Sequence, residues 1–434
     1  MIKDTFIKIV LSLSRMVAQS NPNLSAHHAQ VAFLSQKIAQ KMRLDQQSIQ
    51  DIVIAASIHD IGLLSFSNRE GCLVLEEEYP FTHSLTMFFL IEHIRCLNDP
   101  AQIIRYHHTH YNKLDKKKEG SKEIPLGSFI IRLADRTSVM VNPNIHILEQ
   151  KSSILKLLRN KKHIFCPEVF ASFEEIFDYD YIWLELASTH PEILLNKILQ
   201  ESIQNIPDLS FFALSEIIGH LVDFKSPFTA AHSYCVAQIT NWLAERMQIP
   251  LECDYKNLFL IGFLHDIGKL SIPIEILEKT GKLDPIEWDI MRSHAYYSHV
   301  ALELLYDSYP ELMYAPLHHE RLDGSGYPFG LKGEQISNCT LLISVGDIFT
   351  ALTENRPYRR SMGQNEIAKI LLETANYPGK KGKIHLDIID FLLSNYKEAK
   401  EVRDESENKV RRKYNDFGFK IKSLKENEKQ ELLR

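Results

Sequence analysis

The chain carries one series of motifs twice, in the same order. AHHAQVAFLSQKIAQKM (26–42) aligns with AHSYCVAQITNWLAERM (231–247), and IVIAASIHDIGLLSF (52–66) with LFLIGFLHDIGKLSI (258–272). THSLTMFFL (82–90) is answered by SHAYYSHVALELL (293–305), IIRYHHTH (103–110) by APLHHERL (315–322), and FIIRLADRTSVMV (129–141) by LLISVGDIFTALT (341–353). The offset grows only from 205 (26 to 231) to 212 (129 to 341). HIFCPEVFASFEEI (163–176) against GKIHLDIIDFLLSN (382–395) carries the match into a final helix. Two helical stretches often look alike by chance; five blocks in register do not. The sequence therefore reads as a duplicated domain.

Apolar residues recur at helical spacing in 31–42, 52–64, 236–247, 258–268, 299–306 and 364–373. Turn chemistry separates them at Asn21-Pro22-Asn23, Asn142-Pro143, Ser226-Pro227 and Gly324 to Gly333. No alternating run demands a large sheet, although short strands could flank the Gly-rich loop. The expected fold is all-α, with two tandem helical domains. The boundary falls near Asn205-Ile206-Pro207-Asp208, where Pro stops one helix and Asp208 or Ser210 can cap the next. This predicts domains over 1–205 and 206–400, then a mixed-charge tail over 401–434 that is a solvated helix or frayed.

The 434 residues suffice for two buried cores, and hydrophobic residues at 44% mark a globular chain. A formal net charge of -6 argues against coating a nucleic-acid polymer but leaves room for a local basic pocket. Six cysteines without CxxC spacing read as small core residues of a reducing compartment. MIKDTFIKIVLSLSRMVAQ reads as an amphipathic helix and not a signal peptide, and no run reaches the length of a membrane span. A cytoplasmic location without membrane partners is expected.

In LHDIGK, His265, Asp266 and Lys269 close an apolar run, where an ionised carboxylate needs compensation. The second copy supplies His232, His265, Asp266, His294, His318, His319 and Asp347. The first copy has the same types at every matched place: His27, His59, Asp60, His83, His107, His108 and Asp135. One histidine alone is an ordinary core or surface residue; seven polar positions kept in both copies point to metal ligation. Five imidazoles and two carboxylates exceed the coordination of one transition ion, so two divalent ions are expected. Asp266 is the natural bridge. Two ions, two aspartates and a bridging hydroxide leave about one positive charge, which suits a phosphodiester. On a helix, Lys269 would share a face with His265 and Asp266 and hold a phosphate oxygen.

HHERLDGSGYPFGLKGEQI (318–336) lies between His319 and Asp347 and would wall the pocket. Tyr327 could stack on a base, and Gly324 and Gly326 would allow close approach. NRPYRR adds Arg356, Arg359 and Arg360, suited to clamping phosphates or guanine edges or to structural ion pairs.

HDIGK, HHERLDGSGYP and GDIFTALTENRPYR together resemble the HD-GYP family of metal phosphohydrolases over about residues 206–400. The first copy resembles the wider HD superfamily. The resemblance implies hydrolysis of cyclic di-GMP to pGpG, and onward to GMP in some members, with cyclic GMP-AMP the substrate in others. It implies two metals, iron or manganese: one on His232, His265, Asp266 and Asp347, the other on Asp266, His294, His318 and His319. Asp266 and Lys269 would serve catalysis. Lys269, Arg356 and Arg359 would meet substrate phosphates, beside Gly326, Tyr327 and Pro328 of the GYP motif.

Three positions depart from the family pattern. Phe228 stands where some relatives place a carboxylate for a third metal, Thr350 stands where a second Asp is usual, and Gly346 replaces Ala. In the first copy Leu63 stands at the Lys269 position, THYNKLDKKKEGSKEIPLG replaces the GYP loop, and Asp135-Arg136 is not followed by RPYR. That copy is expected to lack cyclic dinucleotide hydrolysis while keeping a candidate metal site. Three functions compete: cyclic di-GMP phosphodiesterase, HD phosphohydrolase on cyclic GMP-AMP or another nucleotide, and non-catalytic cyclic dinucleotide-binding signalling protein. A homodimer and a signalling-protein partner stay open.

Overall fold

In the computed structural model, the structure describes residues 2–20, 24–65, 81–113, 124–206, 209–225, 231–354, 360–376 and 382–412. Arg356, Arg359, Phe228, Pro207-Asp208, most of the first copy's substitute loop and the tail beyond 412 lie outside them. The described residues divide into two compact units, one up to Phe211 and one from Phe212.

The first unit is built from α1 (Ile2–Ser20), α2 (His27–Lys41), α3 (Gln46–Ile58), α4 (Phe81–Ile91), α5 (Asn98–Arg105), α6 (Leu126–Val139), α7 (Ile147–Asn160), α8 (Pro167–Phe177), α9 (Asp180–Leu186) and α10 (Pro191–Ser202). Helix α2 packs against α3 and α6, with α10 over α2. Helices α8 and α9 also pack on α2 and on each other, and their aromatics meet: the Phe173 and Phe177 ring centres are 3.8 Å apart, and Phe177 meets Trp183 edge-on at 4.4 Å. Helix α1 buries Phe6, Ile9, Val10, Leu13 and Val17 and exposes Asp4 and Gln19, the amphipathic arrangement expected of it.

The second unit repeats the plan with α11 (Phe211–Lys225), α12 (His232–Met247), α13 (Tyr255–Leu264), the short α14 (Ile274–Leu277), α15 (Pro285–Leu302), α16 (Asn338–Thr353), α17 (Gln364–Thr374) and α18 (Leu386–Ser394). Helix α12 packs against α13 and α16 as α2 does against α3 and α6. Even the caps correspond. Asp45 accepts from Ser48 N at 3.0 Å to start α3, and Asp254 accepts from Asn257 N at 2.8 Å to start α13. Among the described residues the strands are β1 (Ala375–Asn376) and β2 (Ile384–His385), paired in parallel. Residues 396–412 are helical.

Two helices are shorter than periodicity predicts. The runs 52–64 and 258–268 leave α-helical geometry at Ile58 and Leu264, and Ile61–Ser65 and Ile267–Ser271 form 3-10 turns. Close packing explains the tightening. A Cβ on Gly268 would meet His294 O at 2.0 Å, and one on Gly62 would meet His83 O at 2.7 Å. Each glycine lets its turn press onto the backbone of the next histidine-bearing helix.

Cys253 and Cys339 are free thiols with sulfurs 3.2 Å apart, a meeting that their distance in sequence hides. No helix among the described residues is long and apolar enough to cross a membrane.

Candidate metal centre

Each predicted ligand sits at the end or inner face of a helix. His232 opens α12, His265 caps α13, His294 lies in α15, His318 ends the 3-10 turn Pro310–Leu317 and Asp347 lies in α16. The nitrogen and oxygen donors gather into two trios, His232–His265–Asp347 and His294–His318–His319. Asp266 stands between them. Its Oδ2 is 3.0 Å from His265 Nε2, and its Oδ1 is 3.4 Å from His294 Nε2 and 3.8 Å from His318 Nε2. All seven expected ligands therefore converge.

Tautomers and charges suit metal ligation. His265, His294 and His318 donate Nδ1–H to the carbonyls of Gly262 (2.7 Å), Met291 (2.6 Å) and Ala315 (2.9 Å), which turns each Nε2 inward. Burial presses His318 down to about 3, and burial likewise lowers His294 and His319, so these rings are neutral. Burial alone would raise Asp266, but His265 and Lys269 outweigh it and hold the carboxyl well below its usual range. Asp347 is held down against burial by the hydrogen bond and charge of His232. His232 is the exception: against burial, Glu354 and Asp347 raise it to about 9, so this ring sheds a proton when it ligates, while His294, His318 and His319 stand in the neutral donor state that a divalent ion requires. His265 Nε2 and Asp266 Oδ1 are buried and make no hydrogen bond among the described residues, which is costly unless another ligand meets them. The residues fit metal binding.

Lys269 reaches the centre by a different route from the one expected. It is not on the α-helix of His265; the 3-10 turn brings it round, its N–H bonding Asp266 O at 2.9 Å. Its Nζ donates to Asp266 Oδ2.

The Gly-rich loop folds back onto the second trio. A Cβ on Gly326 would lie 2.5–2.6 Å from Glu320, Arg321 and His319 backbone atoms, so only glycine fits. Tyr327, followed by a cis bond to Pro328, packs at 4.7 Å on the His319 ring, with the Arg292 guanidinium 4.7 Å from its ring centre. It is a wall braced on both sides and not a freely open platform. The brace that the sequence reading missed is Glu320. This fully buried carboxylate accepts from Phe329 N (2.7 Å), Gly330 N (3.2 Å) and Leu331 N (2.9 Å). An acid next to two ligand histidines was its only signal.

The first unit assembles the same constellation. Its groups are His27–His59–Asp135 and Asp60–His83–His107–His108. Asp60 Oδ2 is 3.3 Å from His27 and 3.5 Å from His59; its Oδ1 is 3.2 Å from His83 and 3.8 Å from His107. Asp60 Oδ1, His107 Nε2 and Asp135 Oδ1 are buried without hydrogen bonds among the described residues. Three differences set it apart. Leu63 replaces the lysine, Arg136 donates from Nε (3.1 Å) and Nη2 (2.7 Å) to Asp135 Oδ2, and His28 is buried 5.9 Å from the rings of both His27 and His59. Burial presses His28 down to about 3.

Comparison with known proteins places these units. The HD domain family model matches residues 12–165 and again 216–378. The 3'3'-cGAMP-specific phosphodiesterase 1 of Vibrio cholerae is 28% identical over 389 residues, covering 85% of this chain and 86% of that protein. The 3'3'-cGAMP-specific phosphodiesterase 3 of the same organism is 32% identical over 63% of this chain and 59% of that protein. A cyclic di-GMP phosphodiesterase of Thermotoga maritima is 35% identical over 38% of this chain and 45% of that protein. The crystal structure of a V. cholerae cyclic GMP-AMP-specific phosphodiesterase superposes with a TM-score of 0.58 at 22% identity, covering 92% of this chain and 98% of that one, a likeness of fold.

Proposed function

The chain belongs to the HD domain family, and from that premise we propose that its second unit is an HD-GYP-type phosphodiesterase that opens a cyclic dinucleotide to the linear form. The observation that carries this reading is Asp266, set between two histidine-bearing trios with Lys269 on the oxygen that faces His265. Two divalent ions, iron or manganese, would sit on His232, His265, Asp266 and Asp347 and on Asp266, His294, His318 and His319. Bound there, they supply Lewis acidity toward the phosphoryl oxygens and a water acidic enough to attack near neutral pH.

The chain's own residues do the rest. The Nδ1–carbonyl bonds hold the imidazoles against rotation, so little reorganisation is needed when substrate arrives. The Lys269 ammonium, fixed by Asp266, faces a non-bridging oxygen of the phosphate. The loop of Gly326, Tyr327 and Pro328 walls the second trio and limits water. Arg356 and Arg359, which lie outside the described residues, are assigned to the substrate phosphates on the family resemblance alone. The first unit holds metal on its own seven ligands but lacks a lysine at Leu63, and it serves binding or regulation instead of this hydrolysis.

Cyclic GMP-AMP is the favoured substrate, because a relative that matches over 85% of this chain bears that name. Cyclic di-GMP is the second, because relatives bearing that name match at 35% identity over a shorter span. Purified protein loaded with manganese or ferrous iron, given each nucleotide in parallel, decides. Linear product that vanishes in Asp266→Ala supports hydrolysis; binding of either nucleotide without product replaces it with a non-catalytic receptor.

A further inference from the structure

The histidines of the second unit do not all orient themselves in the same way. His265, His294 and His318 each use the carbonyl three residues earlier. That solution needs a turn of chain in front of the ring. His232 is the first residue of α12, so its own helix offers no preceding turn. Its Nδ1 lies instead 3.2 and 3.1 Å from the two carboxylate oxygens of Glu354, the residue that caps the far end of α16.

The first unit meets the same problem differently. His27 opens α2, and its Nδ1 lies 2.7 Å from Ser138 Oγ, three residues after Asp135. The matching position, three residues after Asp347, is Thr350. Its hydroxyl is buried and makes no hydrogen bond among the described residues. The partner has moved four residues along the same helix, about one turn, and changed from a hydroxyl to a carboxylate.

We propose that Glu354 is the positioning residue for the first metal of the second unit, replacing the group that position 350 does not supply. An ionised carboxylate only accepts, so Glu354 keeps a proton on His232 Nδ1, and the atom that would ligate is Nε2, whose own proton, held 3.1 Å from Asp347 Oδ1 in this structure, gives way to the metal ion. The backbone carbonyls behind the other rings do this without charge; Glu354 also adds a negative charge behind the ligand, which strengthens its donation. This rests on reading the second unit as a metal centre.

The test measures bound manganese by elemental analysis after dialysis, and the manganese midpoint by titration, on the full chain. Wild type, Glu354→Ala, Glu354→Gln and the double variant Thr350→Asp/Glu354→Ala are compared, each checked for a native melting transition. Glu354→Ala should weaken manganese binding about 10- to 100-fold, the usual effect of losing such a partner. Glu354→Gln, whose amide oxygen still accepts from Nδ1, should keep most of the affinity, and the double variant should regain at least a tenfold share. Glu354→Ala binding as wild type does overturns the proposal, as does equal loss in the Ala and Gln variants. Wild type that binds no metal overturns the metal-centre reading itself, a distinct result.

Discussion

Lys269 and Asp266 form an ion pair across a single 3-10 turn, and the lysine takes the one aspartate oxygen that leans toward His265. A cation so placed neutralises part of the bridge while keeping its remaining N–H groups for a substrate. Lys269→Ala should therefore leave metal content at the wild-type level and lower kcat/KM about 10- to 100-fold, the scale of one hydrogen bond to a charged group. Elemental analysis beside steady-state kinetics checks it; unchanged kinetics would remove Lys269 from substrate handling.

Glu320 predicts a separable defect. Substituting Ala strips the acceptor from three backbone N–H groups of the GYP loop. The metal trios do not depend on those bonds. Metal binding should persist, KM should rise several-fold, and amide hydrogen exchange at Phe329, Gly330 and Leu331 should accelerate. Exchange as slow as in wild type would show that another group holds the loop.

The duplicated centre predicts additive metal content. Asp60→Ala should remove metal from the first unit and leave turnover measurable; Asp266→Ala should remove metal from the second and abolish product. Equal metal in wild type and Asp60→Ala would mean that the first cluster is a hydrogen-bonded core and not a ligand set.

Asp51 predicts a pH effect away from both centres. Burial pushes its carboxyl from 3.8 up to about 6, against the hydrogen bond from Gln47 Nε2 at 2.9 Å. Because the folded pKa lies above the unfolded one, the native state binds the extra proton. The residue costs nothing below about pH 4 and becomes destabilising as pH rises through 6. Asp51→Asn keeps the acceptor for Gln47. It should raise first-unit stability by about 1–3 kcal/mol at pH 7.5, with no gain at pH 3.5. Denaturant melts at the two pH values read this directly, and an equal gain at both would rule out titration as the cause.

The ligands were legible because duplication printed each of them twice, and helix periodicity placed most of the elements that carry them. What orients the ligands was not legible. Whether a histidine uses its own carbonyl or borrows a distant acid depends on where its helix begins, which decides between Met291 and Glu354 as the partner. The 3-10 turn at Ile267–Ser271 is equally silent, since its apolar residues continue the pattern of α13. Glu320 stands in the stretch read as a pocket wall, but its burial beneath the backbone that it holds appears only in the fold. Cys253 and Cys339 meet only once α13 and α16 have packed.

Gly62 and Gly268 act as the gauge block of their units. Each sets, by bare backbone touching backbone, how far Asp60 or Asp266 stands from the histidine of the next helix, His83 or His294. The spacing therefore does not depend on the lysine, the arginine or the loop that later surrounds it. A lineage could rewrite the reactivity of one half without re-machining its frame, and the two halves of this chain have kept a common frame while their surroundings drifted apart.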